Sequence, residues 1–298
     1  SGATDVTFGT GTVEYDGTGA QAVGTYGYYN LTINKSGGTA TTSGNITIGN
    51  NLTLTTGTLN IAANSIDRGA AGGTFTLGSG SLLQIAAANL PANYTTVSIA
   101  TDSTVEYNPS FNMTVPAPGG SANYGNLLLS NSGNRAFNAA MTINGNLTAT
   151  GTVALVMNAG ITVNGNVDLG ASTSFDPKAY THTFKGNYAN NGSTVSDATN
   201  TSTVIMNGTS AQAISGTGLY FYNLTANNSL GVTTSTSFSI AKNFTNDAGF
   251  GVTGTPTTTF NGTTAQTITA TVATTFYNLV FNNTAGFTIS SGNVTASN

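Results

Sequence analysis

The stretch Thr203 to Asn228, TVIMNGTSAQAISGTGLYFYNLTANN, constrains this chain more than any other feature, because versions of it recur at three further places. Thr12 to Asn34 reads TVEYDGTGAQAVGTYGYYNLTIN, and Thr257 to Asn283 reads TTTFNGTTAQTITATVATTFYNLVFNN. A degenerate copy from Thr104 to Asn131 keeps TVEYN and YGNLLLSN but lacks the Ala-Gln pair and carries Pro109, Pro116 and Pro118. Self-similarity at a fixed step points to a repeat architecture, in which each unit buries its apolar face against the next.

The local pattern says what kind of repeat. Runs such as Asn45 to Thr53 (NITIGNNLT), Met141 to Thr148 (MTINGNLT) and Ile161 to Leu169 (ITVNGNVDL) alternate Ile, Val or Leu with Thr or Asn, which is strand periodicity. Gly-Asn, Asn-Gly and Ser-Gly pairs break these runs every few residues and supply turns. No segment carries a capped 3.6-residue stripe; Ser81 to Leu90 comes nearest, and essentially no helix is expected.

Asn126, Asn146, Asn166, Asn187, Asn207, Asn223, Asn243, Asn261, Asn278 and Asn293 follow one another at steps of 15 to 21 residues. A step near 20 with two or three short strands is one coil of a parallel β-solenoid, so these asparagines are expected to stack as a side-chain ladder. The fold class expected is all-β, a right-handed parallel β-solenoid of about 15 coils. The 54 residues from Gln212 to Gln266 would then be about three coils. No linker divides the chain, and a single domain over residues 1–298 is expected.

Composition narrows the partners. Charged residues make up only 5% of the chain while hydrophobic ones make up 38%, so the chain is a folded, polar-surfaced β protein and not a charged disordered tail. The net charge is -4, and Lys35, Arg68, Arg135, Lys178, Lys185 and Lys242 are scattered, so no basic patch exists to hold a nucleic acid. No run approaches 18 apolar residues, and no membrane-spanning helix is expected. Cysteine is absent, which leaves hydrogen bonding and stacking to supply stability.

The pattern T-[VT]-x-[YMF]-[DN]-G-T-x-A-Q-x-[VI], then [YF]-Y-N-L, then [MI]-T-[VI]-x-G-N-[LV], resembles the repeat regions of very large secreted bacterial surface proteins of the β-helical adhesin type, in the style of filamentous haemagglutinin and autotransporters. The matching residues are Thr12 to Asn30, Thr203 to Asn223 and Thr257 to Asn278, with the coil motif at Met141 to Leu147 and Ile161 to Val167. The resemblance implies an extracellular or cell-surface location and a structural or adhesive role, and it carries over no catalytic residue.

A search for chemistry yields little that converges. Asp5, Glu14, Asp16, Asp67, Asp102, Glu106, Asp168, Asp176, Asp197 and Asp247 are spread along the chain, where a polysaccharide lyase or hydrolase would need them gathered in one groove. His182, the only histidine, has neither a cysteine nucleophile nor a second ligand nearby in sequence. No calcium-loop motif occurs, and no metal or cofactor is expected. Thr-x-Thr pairs such as Thr53 and Thr55, or Thr257 and Thr259, raise ice binding, but in sequence they do not recur in register from coil to coil. Aromatics at Tyr28, Tyr29, Tyr220, Tyr222, Phe276 and Tyr277 could stack on sugars; stacking within the solenoid is the simpler reading.

The 11 residues after Phe287 and the 21 that reach Gln21 together nearly restore the 28-residue step from Phe238 to Gln266. The expectation is therefore a head-to-tail homopolymer joined by strand stacking, with Ser1, Val6, Phe8, Phe287, Ile289 and Val294 at the contact. An adhesin stalk that binds surface glycans and a polysaccharide-active β-helix enzyme are the alternatives.

Overall fold

A computed structural model describes residues 8–120, 122–195 and 200–298. The described residues contain strands, turns and no helix. The chain is an all-β parallel β-solenoid of about 14 turns, each of roughly 20 residues. It divides into two compact units, Ser1–Gly133 and Asn134–Asn298.

In the first unit, Thr12–Tyr15, Asn30–Thr42, Leu52–Ala62, Leu82–Ile85, Thr104–Tyr107 and Asn126–Leu129 pair in parallel, each with the next coil's strand. Gly72–Leu77 and Tyr94–Ile99 add a side path beside Leu52–Ala62. Leu31, Leu52, Phe75, Leu83, Val105 and Leu127 point inward and are fully buried.

The second unit has three strand positions per coil. One sheet runs Met141–Ile143, Ile161–Val163, Thr181–Phe184, Thr203–Met206, Asn223–Ala226, Asn243–Asn246, Gln266–Ala270 and Phe287–Ser291. A second contains Leu147–Ala149, Val167–Leu169, Tyr188–Asn190, Gln212–Gly216, Val232–Thr234 and Phe250–Val252. A third contains Leu219–Phe221, Phe238–Ile240, Thr257–Phe260 and Asn278–Phe281. Alternation within each short strand sends one set of side chains inward, so every coil adds a layer to a continuous apolar core.

The long repeat is out of phase with the coil. Thr203–Met206 lies in the first sheet, whereas its copy Thr257–Phe260 lies in the third. Gln212–Gly216 lies in the second sheet and its copy Gln266–Ala270 in the first. The 54-residue step therefore falls one side short of the three coils expected, and the same motif is used on a different side of the solenoid. A motif can move this way because its contacts run up and down between coils and not across one side.

All four copies share one register. Thr12 pairs with Asn30, Thr104 with Asn126, Thr203 with Asn223 and Thr257 with Asn278. The opening strand of each copy thus lies directly beneath its closing Y-N-L strand, one coil later.

Candidate functional site

The Ala-Gln pair of the repeat builds a buried polar clamp. Gln212 Oε1 accepts the Gly208 N–H at 2.7 Å and the Asn228 Nδ2–H of the following coil at 2.9 Å. Its Nε2 donates to the carbonyls of Phe184 (2.9 Å) and Gly186 (2.5 Å) in the preceding coil. Gln266 repeats the arrangement with Gly262 (3.0 Å), Asn283 (2.8 Å), Ile240 (2.8 Å) and Lys242 (3.4 Å). In the first copy Gln21 accepts from Gly17 at 3.1 Å and from Lys35 Nζ at 2.7 Å.

Lys35, only 1% exposed, replaces the asparagine amide with an ammonium that also donates to the Gly17 and Gly19 carbonyls. Asn228 and Asn283 make the matching bonds to Ser210 and Thr264. The turn needs glycine because the chain passes close beneath the preceding coil. A Cβ on Gly262 would lie 1.8 Å from the Ala241 carbonyl oxygen, and one on Gly208 would lie 2.4 Å from that of Lys185. The degenerate copy has no glutamine, and there Asn131 Nδ2 donates to the Asn108 carbonyl instead, at 3.0 Å.

The ten asparagines of the sequence ladder fall on several columns. Asn146 Oδ1 accepts the Asn166 N–H and Asn166 Oδ1 accepts the Asn187 N–H, each at 2.8 Å. Asn187 Oδ1 accepts from Ala213 and not from Asn207, because the Gly208–Gln212 turn intervenes and lengthens that coil. Asn207 and Asn261 open the tight N-G-T turns and are exposed. Asn126, Asn223 and Asn278 reach the paired Thr104, Thr203 and Thr257 hydroxyls and a carbonyl beside each. Asn223 Oδ1 also accepts the Asn243 N–H at 3.2 Å. The Asn293 carbonyl accepts the Thr274 N–H, and its side chain is exposed.

The repeat aromatics divide between inside and outside. The residue two before the Y-N-L asparagine is Tyr28, Tyr124, Phe221 or Phe276, and all four are buried. The Tyr28 hydroxyl lies 2.8 Å from that of Tyr15, and the Tyr124 hydroxyl 3.0 Å from that of Tyr107. Burial pushes Tyr28, Tyr107 and Tyr124 well above the ordinary phenol value. In the other two copies both members of the pair are apolar, Met206 with Phe221 and Phe260 with Phe276. Tyr29, Tyr220, Tyr222 and Tyr277 remain partly exposed.

His182 is fully buried in an otherwise apolar column. The pairing of Thr162 with Thr183 puts Ile161 beside it, and Val204 is its partner in the next coil. Its Nε2 lies 3.0 Å from the Pro177 carbonyl, Nδ1 has no partner among the described residues, and Phe175 meets the ring edge-on. Burial holds its pKa below the ordinary 6.5. The sign of the consequence follows. Above about pH 7.5 the ring is neutral folded or unfolded and adds no pH dependence. As pH falls through 6.5 the unfolded chain takes up a proton that the folded coil resists, so stability is lost on the acid side. Stability in urea is expected to fall as the pH is lowered from 7 to 5, and a His182→Leu variant is expected to lose that slope.

Five of the carboxylates are engaged one by one, and Asp5 and Asp197 lie outside the described residues. Glu14 accepts from Asn34, Asp67 from Ala92, Asp102 from Ser79, and Glu106 from Gln84 and Ser130; Asp176 pairs with Lys178 at 2.5 Å. No group of three or more potential metal ligands occurs among the described residues.

One coil in the second unit leaves its apolar side chains uncovered. Ile161, Val204, Leu224, Phe244 and Ile268 form a buried column whose next member, Ile289, is 48% exposed. Phe221, Ile240 and Phe260 form another, whose next member, Phe281, is 46% exposed. Phe287 packs on Phe281 and Phe260, and Val294 pairs with Thr274. In the first unit Phe8 stacks on Tyr28 and meets Tyr26 edge-on. Ser1 and Val6 lie outside the described residues. No protein-family model, curated protein or solved structure gives a significant match to the chain.

Proposed function

We propose that this chain is a structural subunit of an extracellular filament or matrix fibre, in which copies assemble head to tail by stacking coil on coil. The observation that carries the reading is the uncovered coil. Ile289 and Phe281 continue columns whose other members are buried, and the strands Asn278–Phe281, Phe287–Ser291 and Val294–Ala296 are paired on one edge only. A further β coil would bury those side chains and pair those backbone groups together, which is strand augmentation. The register shared by all four copies of the repeat favours another copy of the chain as the source of that coil. The likeness of the repeats to secreted bacterial surface proteins favours an extracellular setting.

The alternatives draw less support. Glycan binding would use a row of exposed aromatics, whereas one aromatic of each repeat cluster is turned into the core. Polysaccharide chemistry would use paired carboxylates in a groove; the groove beside Asn45, Ile66 and Pro91 has only Asp67, whose Oδ1 already holds the Ala92 N–H. Purified chain at rising concentration is expected to sediment as growing assemblies and to show fibres by electron microscopy. A Phe281→Asp/Ile289→Asp variant is expected to stay monomeric with an unchanged circular dichroism spectrum. Wild-type chain that remains monomeric, or a double variant that assembles as well as wild type, overturns the reading.

A further inference from the structure

The outward side of the first sheet of the second unit presents a two-dimensional array of hydroxyl groups. Strand register places Thr142, Thr162, Thr183, Ile205, Thr225, Thr245 and Thr269 in one column. Two residues earlier on the same strands lie Thr181, Thr203, Asn223, Asn243, Thr267 and Thr288. Thr-x-Thr stands at these two positions in two coils, as Thr181/Thr183 and Thr267/Thr269, and the three coils between carry Thr203/Ile205, Asn223/Thr225 and Asn243/Thr245. The complete pair does not recur in successive coils; what recurs, across coils of 20 to 24 residues, is a small uncharged position that is threonine more often than not.

Three features give this face a chemical character. Its repeat is regular in both directions, about 4.8 Å from coil to coil and about 6.6 Å along each strand. It holds no ionisable side chain and no aromatic ring in either column. The hydroxyls of Thr162, Thr183, Thr225, Thr245 and Thr267 make no hydrogen bond among the described residues, so each keeps a donor and its lone pairs for something outside. Threonine is stiff about χ1, so each hydroxyl and its methyl are held in place and little order is lost on binding.

From this geometry we infer that the face binds ordered water, and through it the surface of ice. An uncharged array made mostly of threonine hydroxyls, with a spacing of the same order as that between like-placed oxygens in a water crystal, can share hydrogen bonds with a water layer. The methyl groups between them favour a caged arrangement of the same layer. A charged or aromatic residue would break the lattice, and the columns contain neither. Ile205 is the one member of its column with no polar atom in the side chain.

The test uses the whole chain. Wild-type protein is expected to inhibit ice recrystallisation and to shape growing crystals, and fluorescently labelled protein is expected to coat a polished ice hemisphere. Thr225→Lys puts a long charged side chain at the middle of the array and is expected to lose most of each effect, with circular dichroism and thermal unfolding unchanged. Thr148→Lys, outward on another sheet of the same unit, is expected to behave as wild type. The inference is overturned if wild type acts no more strongly than an inert protein of equal mass, if Thr225→Lys acts as well as wild type, or if labelled protein coats crystalline chitin or cellulose and leaves ice bare.

Discussion

Gln212→Leu is expected to lower the stability of its coil by about 3–5 kcal/mol, although leucine has nearly the volume of glutamine and the site is only 2% exposed. The change removes four hydrogen bonds at once; it strands the Gly208 N–H and the Gly186 carbonyl, while the Asn228 amide keeps the Ser210 carbonyl and the Phe184 carbonyl keeps the Asn207 N–H. An orphaned buried polar group costs about 1–3 kcal/mol and each of the other two lost bonds about 0.5–1.5 kcal/mol, and the four add less than fully, because relaxation of one helps its neighbours. Added apolar burial offsets little, since the cavity walls are carbonyls and amides. Solenoid stability is carried between nearest neighbours, so the loss should be local. Hydrogen exchange at Gly208 and Asn207 is expected to accelerate while exchange at Ile161 and Val163 stays near wild type. Thr209→Ala, in the same turn but exposed, is expected to change stability by less than about 0.5 kcal/mol. Equal losses from the two variants would remove the clamp from the account.

The strands, their parallel stacking and the coil length were legible because alternation and turn residues are local signals that tertiary structure did not override. The Thr-to-Asn register of each copy was also present in the sequence, as a constant pair of landmarks at either end of the motif. What the glutamine does was not, since its partners come from the coils before and after. A signal for it did exist. Aligned on Y-N-L, the copies end in Asn228, Asn283 and Lys35, three side chains that all donate from nitrogen to the same acceptors. Extending the first copy by one residue, past Asn34, brings Lys35 into that alignment.

The single asparagine ladder illustrates the limit from the other side. Counting residues treats every coil as equal, but a G-T-x-A-Q turn inserts several residues and advances the strand that follows. Asn187 therefore meets Ala213 at 26 residues, and Asn207 goes into the turn itself. The tyrosines show a correlation that counting could have found: Tyr15 with Tyr28 and Tyr107 with Tyr124, but Met206 with Phe221 and Phe260 with Phe276. A buried hydroxyl is tolerable where a second hydroxyl meets it, so polar character enters or leaves the pair at both positions together.

The apolar columns set the other large effect, and they allow one residue type to be tested in two settings. Phe244 is fully buried between Leu224 and Ile268, with the rings of Phe250 and Phe276 centred 4.9 Å and 5.5 Å away. Phe244→Ala is expected to cost about 3–5 kcal/mol, from lost transfer free energy and from a cavity that stacked coils on both sides cannot collapse. Phe281 sits at the uncovered coil, with Phe287 centred 4.0 Å away on one flank and 46% of its surface open. Phe281→Ala is expected to cost about 1 kcal/mol or less in dilute monomer, because most of the transfer free energy was never gained. If a further coil does cover Phe281, the same substitution should weaken assembly by more than it weakens the monomer. Unfolding of each variant in urea at low concentration, followed by sedimentation at high concentration, separates the two quantities. A Phe281→Ala loss that is as large as that of Phe244→Ala in dilute monomer would mean the coil is already covered from within the chain, and the stacking surface would have to lie elsewhere.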